Sequence, residues 1–560
     1  MKQWVVGLLA FWCVFPLFAQ QPKQPSEPER LTPDTFTRQD SLRGSLRPER
    51  TCYNVLFYDL NLSVDPATKS IAGSNTIRYR VRTPFKRMQI DLFENLTIDA
   101  ITQGGQSLRY TREGNAIFVT MKASQEKDNV EEIKIAYHGK PREAVNPPWD
   151  GGFSWSKDST GNDWVGVSCE GLGASSWWPC KDHLSDEPES MQMTFRVPRG
   201  LKAVSNGRLQ EEREVGDNQT EFVWAVSYSI NTYNVTFNLG DYVTIQEQYR
   251  SRDYQYLDLN YHVLRYNEEK AKKHFEQVIG MLDCYEWYFG HYPYWRDGYS
   301  VVETPYWGME HQSAIGYGNK YQNNPFGFDF ILIHESAHEY FGNSLSVSDP
   351  AEMWIHESFA TYMESIYVEN THGPPQAIKY LMTQKPLIKN KFPLMGPRGV
   401  NFQHKDTDIY YKGAWMLHSM RCVVDDDNVW FMALRKVALE RKHSLVNTKQ
   451  IIDILCRETE KDLRPIFDQF LNYAAPPVLE YKVTEKGDFI EVQHRWIADA
   501  PGFNMPLKYR FAYGPWHTLF TTREWQTMLI RRSQGWLNFA YELQYFGARP
   551  LVETAQKTQE

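Results

Sequence analysis

The chain has 560 residues, with 61 basic and 69 acidic side chains, a formal charge of −8, 42% hydrophobic content and 14% aromatic content. This composition supplies several hydrophobic cores and about three domains. It excludes a disordered chain, and a mild negative balance without a basic run excludes nucleic acid as the expected partner.

Met1-Lys2-Gln3 followed by the apolar run from Trp4 to Ala19 reads residues 1–20 as a secretory signal, with an uncleaved anchor as the alternative. The expected location is therefore periplasmic or extracellular. No other segment approaches 18 consecutive apolar residues, so the mature protein is expected to have no stable membrane span. Without Cys13, the remaining cysteines (Cys52, Cys169, Cys180, Cys284, Cys422 and Cys456) are scattered and lack zinc-finger spacing. Export permits a disulfide, and buried free thiols fit equally well.

Residues 21–50, rich in Gln, Pro, Arg and Ser, read as a linker. From 51 to 245 short alternating segments predict a β domain: Ile77, Tyr79 and Val81 alternate with arginines, as Ile133, Ile135 and Tyr137 alternate with polar neighbours. A second domain is expected over 246–475, in which the period becomes helical from about residue 265, with helices expected at Glu268 to Phe289, Lys412 to Val424 and Thr448 to Leu471. Residues 476–560 return to alternation, enough for a small β-sandwich. The fold class is multidomain α+β, with chemistry expected in the helical part.

That part contains His334-Glu335-Ser336-Ala337-His338, and 18 residues separate His338 from Glu357. Residues four apart on a helix share a face, so His334 and His338 can direct both imidazoles at one metal, leaving Glu335 free to act as a base. Phe330, Ile333, Ala337 and Phe341 recur at helical spacing, and Gly342-Asn343 is a stop signal. Asp349-Pro350-Ala351-Glu352 announces a second helix with a capping box, with Glu357 two turns into it. Two histidines and a carboxylate form the three-ligand set of catalytic zinc, one ion per chain, with the fourth position open. An H-E-x-x-H string fixes only three residues, but Glu364, seven after Glu357 on the same face, adds a carboxylate placed to receive the free N–H of a liganding histidine.

Upstream lies Tyr306-Trp307-Gly308-Met309-Glu310-His311 and downstream Tyr410-Tyr411-Lys412-Gly413. With these segments the chain, over about residues 51–475, resembles the family M1 zinc aminopeptidases, the gluzincin group of aminopeptidase N and leukotriene A4 hydrolase. The resemblance implies an N-terminal β-sheet domain followed by a thermolysin-like helical domain. It implies that Gly308 and Met309 form an edge pairing with the substrate backbone and that Glu310 binds the substrate's ammonium. Glu170, ten residues before Cys180, is implied as a second amine contact, and Tyr410 as the phenol that stabilises the tetrahedral intermediate, with Tyr411 as its competitor. Trp307 and His311 depart from the family's G-x-M-E-N pattern. Trp177, Trp178 and Tyr306 are expected to be core or wall residues.

The expected partners are peptides with a free N-terminus, from which one amino acid is released per turnover. An endopeptidase with the same ligands, an epoxide hydrolase and a non-catalytic peptide-binding protein are the alternatives. The family's large C-terminal helical domain is expected to be absent, so the cleft is expected to be open unless a homo-oligomer supplies a wall.

Overall fold

The computed structural model describes residues 35–551, so the signal reading of residues 1–20 lies outside the described residues. Three sheets carry the N-terminal part. The largest has eight strands and runs through Tyr53–Asp65, Ser70–Val81 and Val130–Gly139 at its centre. Ile77, Tyr79, Val81, Ile133, Ile135 and Tyr137 are all fully buried on it, as the alternation predicts.

The sequence reading of residues 21–50 as a linker fails for its described part. Helices α1 (Arg38–Gly44) and α2 (Pro48–Thr51) occupy it, with Thr37 and Asp40 forming a capping box on α1. These helices are too short to show a period, and long-range contacts hold them. The fully buried Arg50 guanidinium meets Asp91 at 2.7 Å, and Arg43 meets Asp182 at 3.2 Å.

A five-stranded sheet opens the helical part, from Tyr242–Arg250 through Tyr256–Leu264, Tyr299–Glu303 and Ile315–Tyr317 to the edge strand Gly308–Met309. Its first strand starts slightly before the expected boundary at residue 246. The expected long helix breaks at Glu276 into α3 (Glu268–Phe275) and α4 (Gln277–Phe289). Then follow α5 (Phe330–Ala337), α6 (Trp354–His372), α7 (Pro374–Gln384), α8 (Asp408–Val424) and α9 (Asp427–Glu440). The helix expected from Thr448 to Leu471 is two, α10 (Thr448–Thr459) and α11 (Arg464–Asn472), because Glu460 is left-handed and Pro465 restarts the chain.

Past α11 the described residues form two sheets of four and three strands. Leu479, Val492 and Trp496 from these strands join the core that holds Trp415, Phe467 and Phe470, so this unit shares its interior with the helical domain. Among the described residues, no α-helix follows Asn472, and no helix is long and apolar enough to cross a membrane. The six cysteines among the described residues are free thiols, five of them buried.

Candidate active site

Helix α5 starts where the Asp329 side chain accepts hydrogen bonds from the Ile331 and Leu332 amides. It carries His334 and ends at His338. Before α6, Asp349 caps a single 3-10 turn, Pro350–Glu352, and the α-helix begins only at Trp354. The expected capping box does not form, because Glu352 instead accepts from Arg398 and the Thr448 amide. Glu357 consequently sits in the first turn of α6.

His334 Nε2 and His338 Nε2 stand 3.2 Å apart, and Glu357 Oε2 lies 3.5 Å from each. Four-coordinate zinc with bonds of roughly 2.0–2.2 Å sets its ligand atoms about 3.4 Å apart, so this triangle fits the ion. Glu357 Oε2 is buried and has no hydrogen-bond partner, although it faces both imidazoles. Such an orphaned acceptor is costly without a cation. The outer nitrogens are held as metal-binding imidazoles require: His334 Nδ1 lies 2.6 Å from Glu364 Oε1, and His338 Nδ1 lies 3.0 Å from the Phe341 carbonyl. The placement of Glu364 behind His334 agrees with the sequence reading. Tyr380, which no local spacing singled out, donates to the other Glu364 oxygen.

The electrostatics lead to the same assignment. Burial opposes charge on His338, yet Glu357 outweighs it and lifts the imidazole to about 9. Burial likewise pushes Glu335 up to about 8, against the pull of His334 and His338. The pocket favours positive charge at its centre, and a divalent cation there would return Glu335 toward the carboxylate form.

Glu335 lies directly under the edge strand. A Cβ on Gly308 would come 2.5 Å from Glu335 Oε1, so only glycine lets the backbone pass at this height. Met309 pairs with Gly316 and packs into the core of the N-terminal β domain, which fixes Glu310 at the junction of the two domains. Glu310 is 3% exposed; its Oε1 accepts from Tyr233 at 3.0 Å, and its carbonyl accepts from Asn343 at 2.9 Å. Tyr233 and Asn343 were not found from the sequence, because one reaches the site from a single 3-10 turn, Thr232–Asn234, and the other from the turn after α5, neither with a periodic signal. Burial raises the Glu310 pKa, opposed by His338, and raises that of Glu170, where Glu310, Glu357 and Glu335 add to it. A buried carboxylate that raises its carboxylate neighbour leaves a pocket that favours a cation.

Glu170, Glu357, Tyr233 and Tyr410 line one cavity of about 340 Å³. The Tyr410 ring stacks on His334 with centroids 6.0 Å apart, and its phenol is raised by burial and then by Glu357, Glu170, Glu310 and Glu335. Tyr411 does not line this cavity, and its phenol is raised by burial and then by Glu364. The structure therefore favours Tyr410. A Cβ on Gly413 would strike Ser358 Oγ, so α8 packs hard on α6 and holds Tyr410 in reach. Trp177, Trp178 and Tyr306 are buried wall residues, as expected.

The cavity is not open on all sides. Arg43 and Gly44 at the end of α1, together with Asn401 to Thr407, form one side of it. Asn401 N donates to Asp40 O at 2.9 Å, and Arg43 Nη1 donates to Gly171 O at 2.7 Å, which ties this wall to the residue after Glu170. The segment read as a linker thus supplies one side of the cavity, a wall that the open-cleft expectation did not include.

Residues 54–234 match the model of the peptidase M1 N-terminal domain and residues 274–470 that of the peptidase family M1 domain, together more than half of the chain. The chain belongs to peptidase family M1. It is 23% identical over 493 residues to a probable aminopeptidase 1 of Sulfurisphaera tokodaii, covering 82% of this chain and 58% of that relative. It is 23% identical over 301 residues to mouse (Mus musculus) endoplasmic reticulum aminopeptidase 1, covering 50% of this chain and 31% of that relative. The chain thus spans about three fifths or less of these relatives. Among solved structures, a Deinococcus radiodurans M1 zinc metallopeptidase variant bound to a Tyr-Ser-Ala substrate matches with a TM-score of 0.64 at 20% identity, covering 77% of this chain and 97% of that one. A two-domain M1 zinc metallopeptidase variant bound to L-tryptophan matches equally, with a TM-score of 0.64 at 22% identity over 74% and 94%. At these identities the likeness shows the fold, which is the two-domain M1 arrangement.

Proposed function

We infer that the protein is a zinc aminopeptidase that removes the N-terminal residue from peptides. The observation that carries this reading is the His334, His338 and Glu357 triangle together with the buried Glu310 carboxylate just after the edge strand, on which His338 and Glu357 both act. Relatives named aminopeptidases and the peptide-bound family structure support it. A zinc ion held by the three donors would polarise the scissile carbonyl and make a water molecule more acidic.

The chain's own residues supply the rest. Glu310 and Glu170 hold the ammonium, which sets the first peptide bond and no other against the triangle. Gly308 brings the substrate backbone down to the height of Glu335. Glu335 takes the proton of the attacking water and returns it to the leaving amine. Tyr410 donates its O–H to the oxygen on which negative charge develops, and its raised pKa keeps that proton in place.

The test is a peptide and its N-acetylated twin, incubated with the zinc-loaded protein before and after chelation. Cleavage of the free peptide alone, lost on chelation, is expected. Equal cleavage of both would establish the endopeptidase alternative. Export belongs to the same proposal and rests on Met1-Lys2-Gln3 and the apolar run to Ala19; cell fractionation tests it.

A further inference from the structure

Trp307 stands immediately before the edge strand and leaves 44% of its surface exposed, and Trp149, from the loop after strand Val130–Gly139, leaves 58% exposed. These two rings meet edge to face at 6.2 Å. Trp307 also lies over Phe330 at 5.7 Å, and Phe330 stacks on His334 at 5.5 Å. Trp307 Nε1 donates to Asn319 Oδ1 at 3.1 Å, which fixes the indole plane. One aromatic surface thus runs outward from a metal-binding imidazole to solvent. Single exposed aromatics are ordinary, but a contiguous, oriented set beside a reactive centre is a binding surface.

The edge strand gives this surface its direction. Glu310 marks the ammonium end, and Gly308, whose Cβ position falls on Glu335, marks the level of the scissile bond. The next residue along the same line is Trp307, about 10 Å from Glu310 at the rise of an extended strand. We propose that Trp307, Trp149 and Phe330 form the pocket for the side chain of the substrate's second residue and select a large apolar or aromatic one. This rests on the aminopeptidase reading above. It also accounts for the tryptophan at Trp307, where the family pattern has glycine: a side chain there adds a wall that glycine cannot provide.

The experiment measures kcat/KM for Leu-Phe-Ala-Ala and Leu-Gly-Ala-Ala, and for Leu-Gly-Phe-Ala as the control of position. A preference of roughly tenfold or more for phenylalanine at the second position is expected. The ratio should fall toward one in Trp307→Ala and in Trp149→Ala and recover in Trp307→Phe. If Trp307→Ala fails to fold, the more exposed Trp149→Ala carries the test. Calorimetric Kd values of the same peptides on zinc-loaded Glu335→Gln give a second readout that does not need turnover. Binding that keeps this order without any cleavage would sustain the pocket and remove the activity. Cleavage without discrimination, a preference at the third position, or a ratio indifferent to both tryptophans would remove the pocket and leave the activity. Neither cleavage nor binding would overturn both.

Discussion

Gly308 and Glu335 touch across the edge of the five-stranded sheet, and a Cβ on Gly308 would stand 2.5 Å from Glu335 Oε1 and 2.7 Å from Ile331 Cγ2. Ile331 is locked in the packed core of α5, so relief must come from the strand or from the Glu335 carboxylate itself. Gly308→Ala is therefore expected to displace the strand or the base by a fraction of an ångström to an ångström. Peptide kcat/KM should drop by about 10- to 100-fold while bound zinc, measured by metal analysis, stays at one per chain.

The ligand triangle separates metal binding from proton transfer. His338→Ala should lose zinc, whereas Glu335→Gln should keep it and lose turnover by about 10²- to 10⁴-fold. Glu364→Gln tests the support of His334: weakening the 2.6 Å contact should reduce zinc affinity by about 10- to 100-fold, read by competition with a chelator. Full zinc content in His338→Ala would remove the assignment.

Tyr410 and Tyr411 are adjacent in sequence and differ in what they face. Tyr410→Phe should lower kcat by about 10²- to 10³-fold with a smaller change in KM, because the phenol acts on charge that exists only in the transition state. Tyr411→Phe should stay near the parent rate. Reversed effects would reassign the phenol.

The metal site was legible because helical periodicity and the fixed spacing of two histidines and a carboxylate are local properties of the chain. His334, Glu335 and His338 converge as that spacing implies and Glu364 lies behind His334, whereas Glu357 sits in the first turn of α6 and not two turns into it. Glu310, Glu170 and Tyr410 followed from resemblance; Glu170 and Tyr410 line one cavity, and both glutamates act on the Tyr410 phenol. Tyr233, Asn343 and the wall at Arg43 were illegible because they depend on contacts between distant segments. For the wall, a local signal did exist in the Thr37 and Asp40 capping box, hidden in polar composition. Helix breaks at Glu276 and Glu460 were missed for a related reason, since both flanking segments keep helical periodicity.

Buried neutral histidines should make the fold acid-sensitive. His183, His262 and His418 are each lowered to about 3, chiefly by burial. Above the unfolded-state value of about 6.5 both states are neutral and no penalty exists. Between about 6.5 and 3 the unfolded chain takes up protons that the folded chain refuses, so stability falls as pH falls, by up to about 1.4 kcal/mol per pH unit for each residue. The contribution of these histidines to Tm should be level from pH 8 to 7 and decline below 6, against the opposite contribution of buried carboxyls such as Glu335 and Glu339, each raised to about 8. His418, buried with neither ring nitrogen partnered, is the position to test. His418→Phe should lose less Tm on acidification than the parent, and an unchanged slope would show that this histidine titrates normally in the fold.

Arg43 links the wall to the ammonium site, since Nη1 donates to Gly171 O at 2.7 Å and the guanidinium pairs with Asp182 at 3.2 Å. Gly171 has a φ of +68°, which glycine adopts without strain, and the Arg43 contact pins the carbonyl of this residue and so holds the turn that presents Glu170. Arg43→Ala should free that turn and let Glu170 drift from Glu310. Substrate binding should suffer more than chemistry, so KM is expected to rise several-fold with kcat within about a factor of three. Because Arg43 also borders the cavity, the same variant should gain relative activity on peptides with bulkier first residues. A kcat loss at constant KM, with no change in first-residue preference, would show that α1 supports the catalytic domain and takes no part in the substrate wall.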